Sequence, residues 1–388
     1  MADEPLPFNL LKTFPGILHR QPLFITKQLD VDSYHLSFLD KQGQELSDDS
    51  DVPNFIEQLP EILPAINDHH KVLLSIPESW QESLLSSQPS DFDFILNNKN
   101  SSQSNQFSIA DTNNTSNNES DTLLINLAEF KPSELTEHLP YWRNNHAILC
   151  ATNVNNLEQF SFCQQNKLDL LQGQFHTLPS NTNSQKISPS SQILMELLVK
   201  LQDPEVVTEE LADIINRDIS LSYKLLRLIN SAFFGLKKEV ETTKQAIMLL
   251  GLSKIKTWGS LLSLSGIDDK PKELRVVAMT RAKMCELLAK YYKGQPDTFF
   301  AAGLFSTLDA LIDKPLPELL TKLPLSDELK QGLTSHSGII GRALHDVLSY
   351  EKGDWVTVNA SPLPIEIIAR SYLEAINWAQ ELNSEILD

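Results

Sequence analysis

Residues 180–190 divide this 388-residue chain into two stretches with different hydrophobic periods. The division runs through "QGQFHTLPSNTNSQKISPSSQ", where Pro179 and Pro189 bracket a run of Ser and Asn that favours turns and offers little to bury. Upstream, short apolar runs alternate with helical patterns. Downstream, the apolar spacing is helical almost throughout. A chain of this length has room for two domains of roughly 150 residues each. The sequence therefore predicts an α/β domain over 1–182 and an all-α bundle over 190–388.

In the first stretch, strand candidates by length and by β-branched or aromatic content are 22–29, 34–40, 71–77, 92–96, 106–111, 122–127 and 146–152. Between them, Phe55, Leu59 and Ile62 share one helical face, and Leu157, Phe160 and Phe162 share another behind Asn156, a candidate cap. Strand and helix in alternation imply parallel pairing. Residues 97–120 interrupt the pattern with eight Asn and six Ser in 24 positions, a composition of loop rather than of packed helix.

In the second stretch, "TEELADIINRD" opens with Thr208 as a candidate cap and two acids in the first turn. "SLSYKLLRLINSAFF" carries Leu221, Leu225, Leu228 and Ile229 at helical spacing, and "TKQAIMLLG" stops at Gly251 before "LSKIKTWGSLLSL" resumes with Ile255, Trp258 and Leu262 on one side. The break "NSAFFG" is a complete helix stop: Asn230 and Ser231 can bond nearby backbone, Phe233 and Phe234 supply core area, and Gly235 suits a left-handed terminus.

Charge and composition exclude several function classes. Residues 1–189 hold 10 Lys and Arg against 24 Asp and Glu, and residues 190–388 hold 22 against 27, so both halves repel a polyanion at long range. Nucleic acid and membrane insertion are disfavoured, and no run approaches the roughly 20 apolar residues that cross a bilayer. The acidic, proline-broken start lacks the regions of a signal peptide, which points to the cytoplasm. Cys150, Cys163 and Cys285 form no CxxC pair and read as buried thiols.

The chemical signals are sparse. His345 and Asp346 form the one adjacent His-Asp pair, but after residue 189 the histidines are His336 and His345 alone, too few for a two-metal hydrolase centre. His69 and His70 precede a strand and read as an exposed loop pair. No GxGxxG, Walker, GxSxG or HExxH motif occurs. "KQAIMLLGLSKIKTW", with Lys254 and Lys256, has a helix-turn-helix rhythm, yet the surrounding domain is acidic and internal packing accounts for it.

At "DISLSYKLLRLINSAFFG" and "TTKQAIMLLGLSKIKTW" the second stretch resembles the HDOD domain, a helical relative of HD-type phosphohydrolases (the HD-GYP group among them) without their metal ligands. "YEKGDW" (350–355) and "SYLEAINWAQEL" (371–382) look like the C-terminal end of proteins that pair it with an EAL-type domain. The first stretch is similar, more weakly, to the EAL fold of cyclic-di-GMP phosphodiesterases, a modified TIM barrel. "LDLLQGQFHTLP" looks like its final strand, with Gln172 and Gly173 keeping a QG core and Gln174 and His176 departing from an aromatic run. The resemblance thus implies a degenerate EAL-like barrel followed by a helical HDOD bundle.

That family holds Mg²⁺ or Mn²⁺ with acidic groups at strand ends. Matched strand by strand, its signature glutamate falls at His35, an asparagine ligand near Ser75, and a further glutamate near Asn97. Of its paired aspartates Asp111 remains and Thr112 stands for the other; its strand lysine and aspartate fall at Leu124 and Asn126, and a late glutamate near Asn155. One carboxylate cannot cage a hard cation. The expectation is a bacterial signalling protein without turnover, with no catalytic, cofactor-binding or metal residues, acting through contacts with a histidine kinase, response regulator, other signalling enzyme or second copy of itself. The alternatives are a residual cyclic-di-GMP phosphodiesterase, an HD-type hydrolase using His336, His345 and Asp346, or a nucleotide sensor.

Overall fold

The computed structural model describes residues 8–67, 69–86, 94–96, 107–109, 122–179, 195–200, 206–217, 219–231, 234, 236, 238–264 and 270–387. The chain forms two compact units, Met1–Leu178 with Ser349–Leu373, and Pro179–Leu348 with Glu374–Asp388. Residues 349–373, which the sequence pattern groups with the helical stretch, belong to the first.

The first unit is built on an eight-stranded sheet: β1 (Ile17–Ile25), β2 (Val31–Leu39), β3 (Lys71–Ser75), β4 (Phe94–Leu96), β5 (Phe107–Ile109), β6 (Thr122–Asn126), β7 (Ile148–Thr152) and β8 (Leu170–Gln172). Their order is β4-β3-β2-β1-β8-β7-β6-β5. Pairing is parallel within β2-β3-β4 and within β5-β6-β7-β8, as the alternation implies. The exception is β1, antiparallel to both neighbours. The reason lies in the connection: residues 26–30 are too few for the crossover that a parallel pair needs, so β1 and β2 close as a hairpin. Leu29 makes the turn in a left-handed conformation (φ 58°), its N–H donating to the Ile25 carbonyl at 2.8 Å.

Alternation along the strands separates two cores. On one face of β2, Tyr34 and Phe38 are buried, and Phe38 meets Phe14, Phe55 and Trp80 at ring separations of 5.3, 5.9 and 5.4 Å. At the other end of the sheet Phe24, Leu149 and Leu171 are buried with Trp142 and Cys163, which come from the helices Pro132–Asn145 and Leu157–Gln165. Each fully buried side chain of this size contributes about 1.5–3 kcal/mol. Asn156 caps the second helix as expected, accepting from the Gln159 N–H at 2.8 Å. On the opposite face, Leu23, Leu73, Leu124 and Cys150 form a small separate cluster.

From Ile17 to Pro22, β1 has no strand neighbour on its β8 side among the described residues. Two tyrosines from residues 349–373 cover that edge: the Tyr350 hydroxyl donates to the Leu18 carbonyl at 2.7 Å and the Tyr372 hydroxyl to the Arg20 carbonyl at 3.2 Å. Both rings are buried and lie 4.6 Å apart. An open sheet edge is a row of unpaired polar groups, and this pair satisfies two of them with side chains.

The described residues of the second unit form helices and the turns that connect them. Thr208–Asn216 begins at Thr208 itself, with Val207 in the cap position, so Thr208 is the first helical residue and not the cap. Thr243–Leu264 is interrupted at Gly251 (φ 75°, ψ 162°), the stop that the sequence shows. Ile255 is buried, whereas the side chains of Trp258 and Leu262 lie outside the described residues. At the end of Ile219–Asn230, Asn230 donates to the Val240 carbonyl at 2.9 Å and accepts from the Val240 N–H at 2.8 Å. Ser231 Oγ donates to the Leu228 carbonyl at 2.7 Å. The helix stop is thus also a tie across ten residues; Phe233 and Gly235 lie outside the described residues.

Candidate functional site

Ser33, His35 and Ser37 alternate with the buried Tyr34, Leu36 and Phe38 along β2, so His35 stands on the face that carries the small apolar cluster. Parallel pairing sets Ser37 opposite Ser75 on β3, and antiparallel pairing sets Gln21 of β1 opposite His35. Three strands therefore deliver polar side chains to one place, and β8 adds Gln172. His35 Nε2 lies 2.8 Å from Ser75 Oγ, and Gln172 Nε2 lies 3.1 Å from His35 Nδ1 and 3.0 Å from Gln21 Oε1.

This geometry fixes the imidazole tautomer. The Gln172 amide nitrogen has two hydrogens and no acceptor, so it donates to Gln21 Oε1 and to His35 Nδ1. Nδ1 is then the acceptor, and Nε2 carries the proton that faces Ser75. Burial, and to a smaller extent the nearby His19, lower the His35 pKa to about 4, which keeps the ring neutral at pH 7. A serine nucleophile needs an imidazole nitrogen free to take its proton. Here that nitrogen bears the hydrogen, so Ser75 and His35 are not an activated pair.

The positions matched to metal ligands divide in three ways. His35 and Ser75 adjoin. Asn126 Oδ1 accepts from Asn153 Nδ2 at 2.7 Å while its amide donates to Glu129 Oε1 at 2.7 Å, and Asn155 Oδ1 accepts from the Gln174 N–H at 3.1 Å. Leu124 is 6% exposed in the apolar cluster. Asn97, Asp111 and Thr112 lie outside the described residues. A hard divalent cation takes six or more oxygens with concentrated negative charge. The described ligating groups at these positions are amides, a hydroxyl and a neutral imidazole already engaged in hydrogen bonds within the protein, and they do not fit such an ion. Among the described residues no group of three or more His, Cys, Asp and Glu converges.

Gly173 of the QG pair has a backbone reason. Its φ is 153°, and a Cβ there would sit 2.3 Å from the Val154 carbonyl oxygen. Beside it, His176 is buried, its Nδ1 lying 3.0 Å from the Gly173 carbonyl and its ring 4.7 Å from that of Phe24.

In the second unit the His-Asp pair is split by the helix Gly338–Lys352. Asp346 faces inward, 4% exposed, and accepts from the Tyr292 hydroxyl at 2.5 Å, while His345 is exposed with its ring 5.4 Å from that of His336. Tyr292 carries no sequence signal as a partner. Of the loop pair, His69 is exposed, but His70 is half-buried, with Nδ1 3.1 Å from the Asn67 carbonyl and its ring against Tyr34. No described helix is long and apolar enough to cross a membrane. The three cysteines are buried and free.

Residues 187–321 match the HDOD domain family. The chain is 32% identical over 242 residues to the uncharacterized protein YuxH of Bacillus subtilis, covering 61% of this chain and 59% of that one. It is also 32% identical over 240 residues to the cyclic di-GMP phosphodiesterase CdgJ of Vibrio cholerae, covering 60% of this chain and 56% of that one. The chain thus spans little more than half the length of these relatives. A solved structure from Shewanella amazonensis, named as a candidate phosphohydrolase, covers 50% of this chain and 93% of its own at 15% identity, with a TM-score of 0.37, too distant to carry an argument about chemistry. The likeness to CdgJ corrects one expectation. A relative named for phosphodiesterase activity points to an enzyme, whereas the sequence reading, resting on a deficit of carboxylates, expected none. An HDOD domain therefore occupies residues 187–321 of a chain whose relatives include a cyclic di-GMP phosphodiesterase.

Proposed function

We propose that this protein works in cyclic-di-GMP signalling as a phosphodiesterase, its first unit an EAL-like barrel and its second unit carrying the HDOD domain. One observation carries the reading: the 32% identity to CdgJ over 240 residues. The eight-stranded sheet with a single antiparallel strand supports it, as a scaffold whose strand ends collect polar groups. The His35–Ser75–Gln172 cluster is an uncharged hydrogen-bonding surface suited to orienting a ligand's acceptors, and no step of hydrolysis is derived through it. Asp111 is the carboxylate that the family pattern leaves. Other signalling proteins, a histidine kinase or response regulator among them, are the partners that this role calls for.

The test is turnover. Full-length protein incubated with cyclic-di-GMP and either Mg²⁺ or Mn²⁺ should yield the linear dinucleotide, measured by chromatography, and Asp111→Asn should lower the rate by about 100-fold or more if that carboxylate serves the reaction. No product above the buffer rate with either ion sinks the proposal.

A further inference from the structure

At the other end of the same strands, away from the C-terminal ends of β2 and β3, the first unit holds a cavity of about 750 Å³. It opens where β1 finishes at Ile25 and where β7 and β8 begin at Ile148 and Leu170. In barrel-like α/β folds reaction sites gather at the C-terminal ends of the strands. A cavity of ligand size at the opposite end is a separate feature, and its volume lies within the range of small-molecule sites.

Its lining is built rather than incidental. Asp169 is fixed by its ion pair with Arg143 and by accepting from the Leu149 N–H at 2.9 Å, and Arg143 also donates to the Lys167 carbonyl at 2.6 Å. This brace holds Lys167 in a left-handed conformation (φ 54°) at the end of the helix Leu157–Gln165, where the Leu168 N–H closes back on the Cys163 carbonyl at 3.0 Å. Lys27, on the turn after β1, lines the same cavity. Arg143 and Asp169 neutralise each other, leaving Lys27 and Lys167 against Asp32, a local cationic excess in a half-chain that is otherwise strongly acidic.

We infer that this cavity binds a small hydroxylated organic anion, a sugar phosphate or a hydroxy acid. Lys27 and Lys167 hold its charge, and Asp32 accepts from its hydroxyl. The inference does not rest on the phosphodiesterase reading, since neither its residues nor its assay involves cyclic-di-GMP.

Calorimetric titration of the full-length protein with glucose 6-phosphate, malate and inorganic phosphate tests it. At least one of the two organic anions should bind saturably and more tightly than inorganic phosphate. The Lys27→Ala/Lys167→Ala double variant should weaken that binding by about tenfold or more. Both lysines are exposed, so an unchanged thermal transition of the double variant confirms that its fold is intact. Absence of saturation by either organic anion up to roughly 50 mM overturns the inference. So does binding that the double variant leaves unchanged.

Discussion

Replacing Tyr350 with Phe removes one oxygen from a ring that is 0% exposed and leaves the Leu18 carbonyl, on a residue 2% exposed, without its donor. The ring volume is kept, so the cost is that of an unsatisfied buried acceptor, about 1–3 kcal/mol. The bond is 2.7 Å, against 3.2 Å for Tyr372 to the Arg20 carbonyl, so Tyr372→Phe should cost less, about 1 kcal/mol. Because the two rings lie 4.6 Å apart, the double variant should depart from additivity by about 0.5 kcal/mol or more. Tyr350→Ala sets the upper end at about 3–5 kcal/mol, since it also opens a cavity. Urea unfolding followed by tryptophan emission reads this edge through Trp355, whose ring stands 5.3 Å from that of Tyr350, with Trp355→Phe as the background. A cost below about 0.5 kcal/mol for Tyr350→Phe, or a larger cost for Tyr372→Phe, would refute the claim that these hydroxyls satisfy the edge of β1.

Three further outcomes follow from named contacts. Asn230→Ala breaks both bonds to the Val240 backbone and should lower stability by about 1–3 kcal/mol, whereas Asn230→Asp keeps the acceptor for the Val240 N–H but sets a carboxylate oxygen against the Val240 carbonyl, so it should not restore the loss; full stability of Asn230→Asp in calorimetry would show that the bond to the carbonyl carries nothing. Gly43 has φ 79° and its added Cβ would lie 2.1 Å from the Trp355 ring, so Gly43→Ala should cost more than about 1 kcal/mol, and an unchanged melting temperature contradicts that packing. Burial lowers the His19 pKa to about 4 against 6.5 in the unfolded chain, so the unfolded state takes up the proton first as pH falls. Stability should be level above pH 6.5 and decline between 6.5 and 4 by up to about 3 kcal/mol from this residue, and His35, lowered to the same range, adds to the decline in the same window. His19→Phe should flatten that decline, and an unchanged slope would show that other groups cause it.

The fold was legible where local pattern and tertiary demand agree. Each of the seven strand candidates overlaps a strand, because short runs with β-branched residues bounded by turn-formers have few other uses. The direction of β1 was not legible from alternation, since antiparallel pairing follows from the length of a five-residue connection and not from any side chain. The helices Glu78–Ser86 and Pro132–Asn145 also escaped notice. The first is nearly balanced between polar and apolar faces, and the second carries Pro140 in its interior, a residue that argues against helix until the surrounding turns are seen to hold it. The membership of residues 349–373 in the first unit depends on Tyr350, Trp355 and Tyr372 finding β1, contacts more than 300 residues apart that no periodicity announces.

The candidate site shows a different limit. His35 and Ser75 stand side by side because parallel pairing of β2 with β3 brings the two strands together in that register. What residue identity could not supply was the protonation state. A histidine beside a serine reads as a base until Gln172 is seen to occupy Nδ1, and Gln172 lies 137 residues away on β8. Gln21 in turn orients that amide, and nothing in the local text around either glutamine marks it. A chain of three side chains thus converts a reactive-looking pair into a fixed, neutral surface. His35→Asn would break the chain at its centre, leaving Ser75 and Gln172 to re-pair. If the cluster orients a bound cyclic-di-GMP, that variant should raise KM with kcat little changed; a fall in kcat at constant KM would instead place His35 among the groups that act on the reacting phosphate.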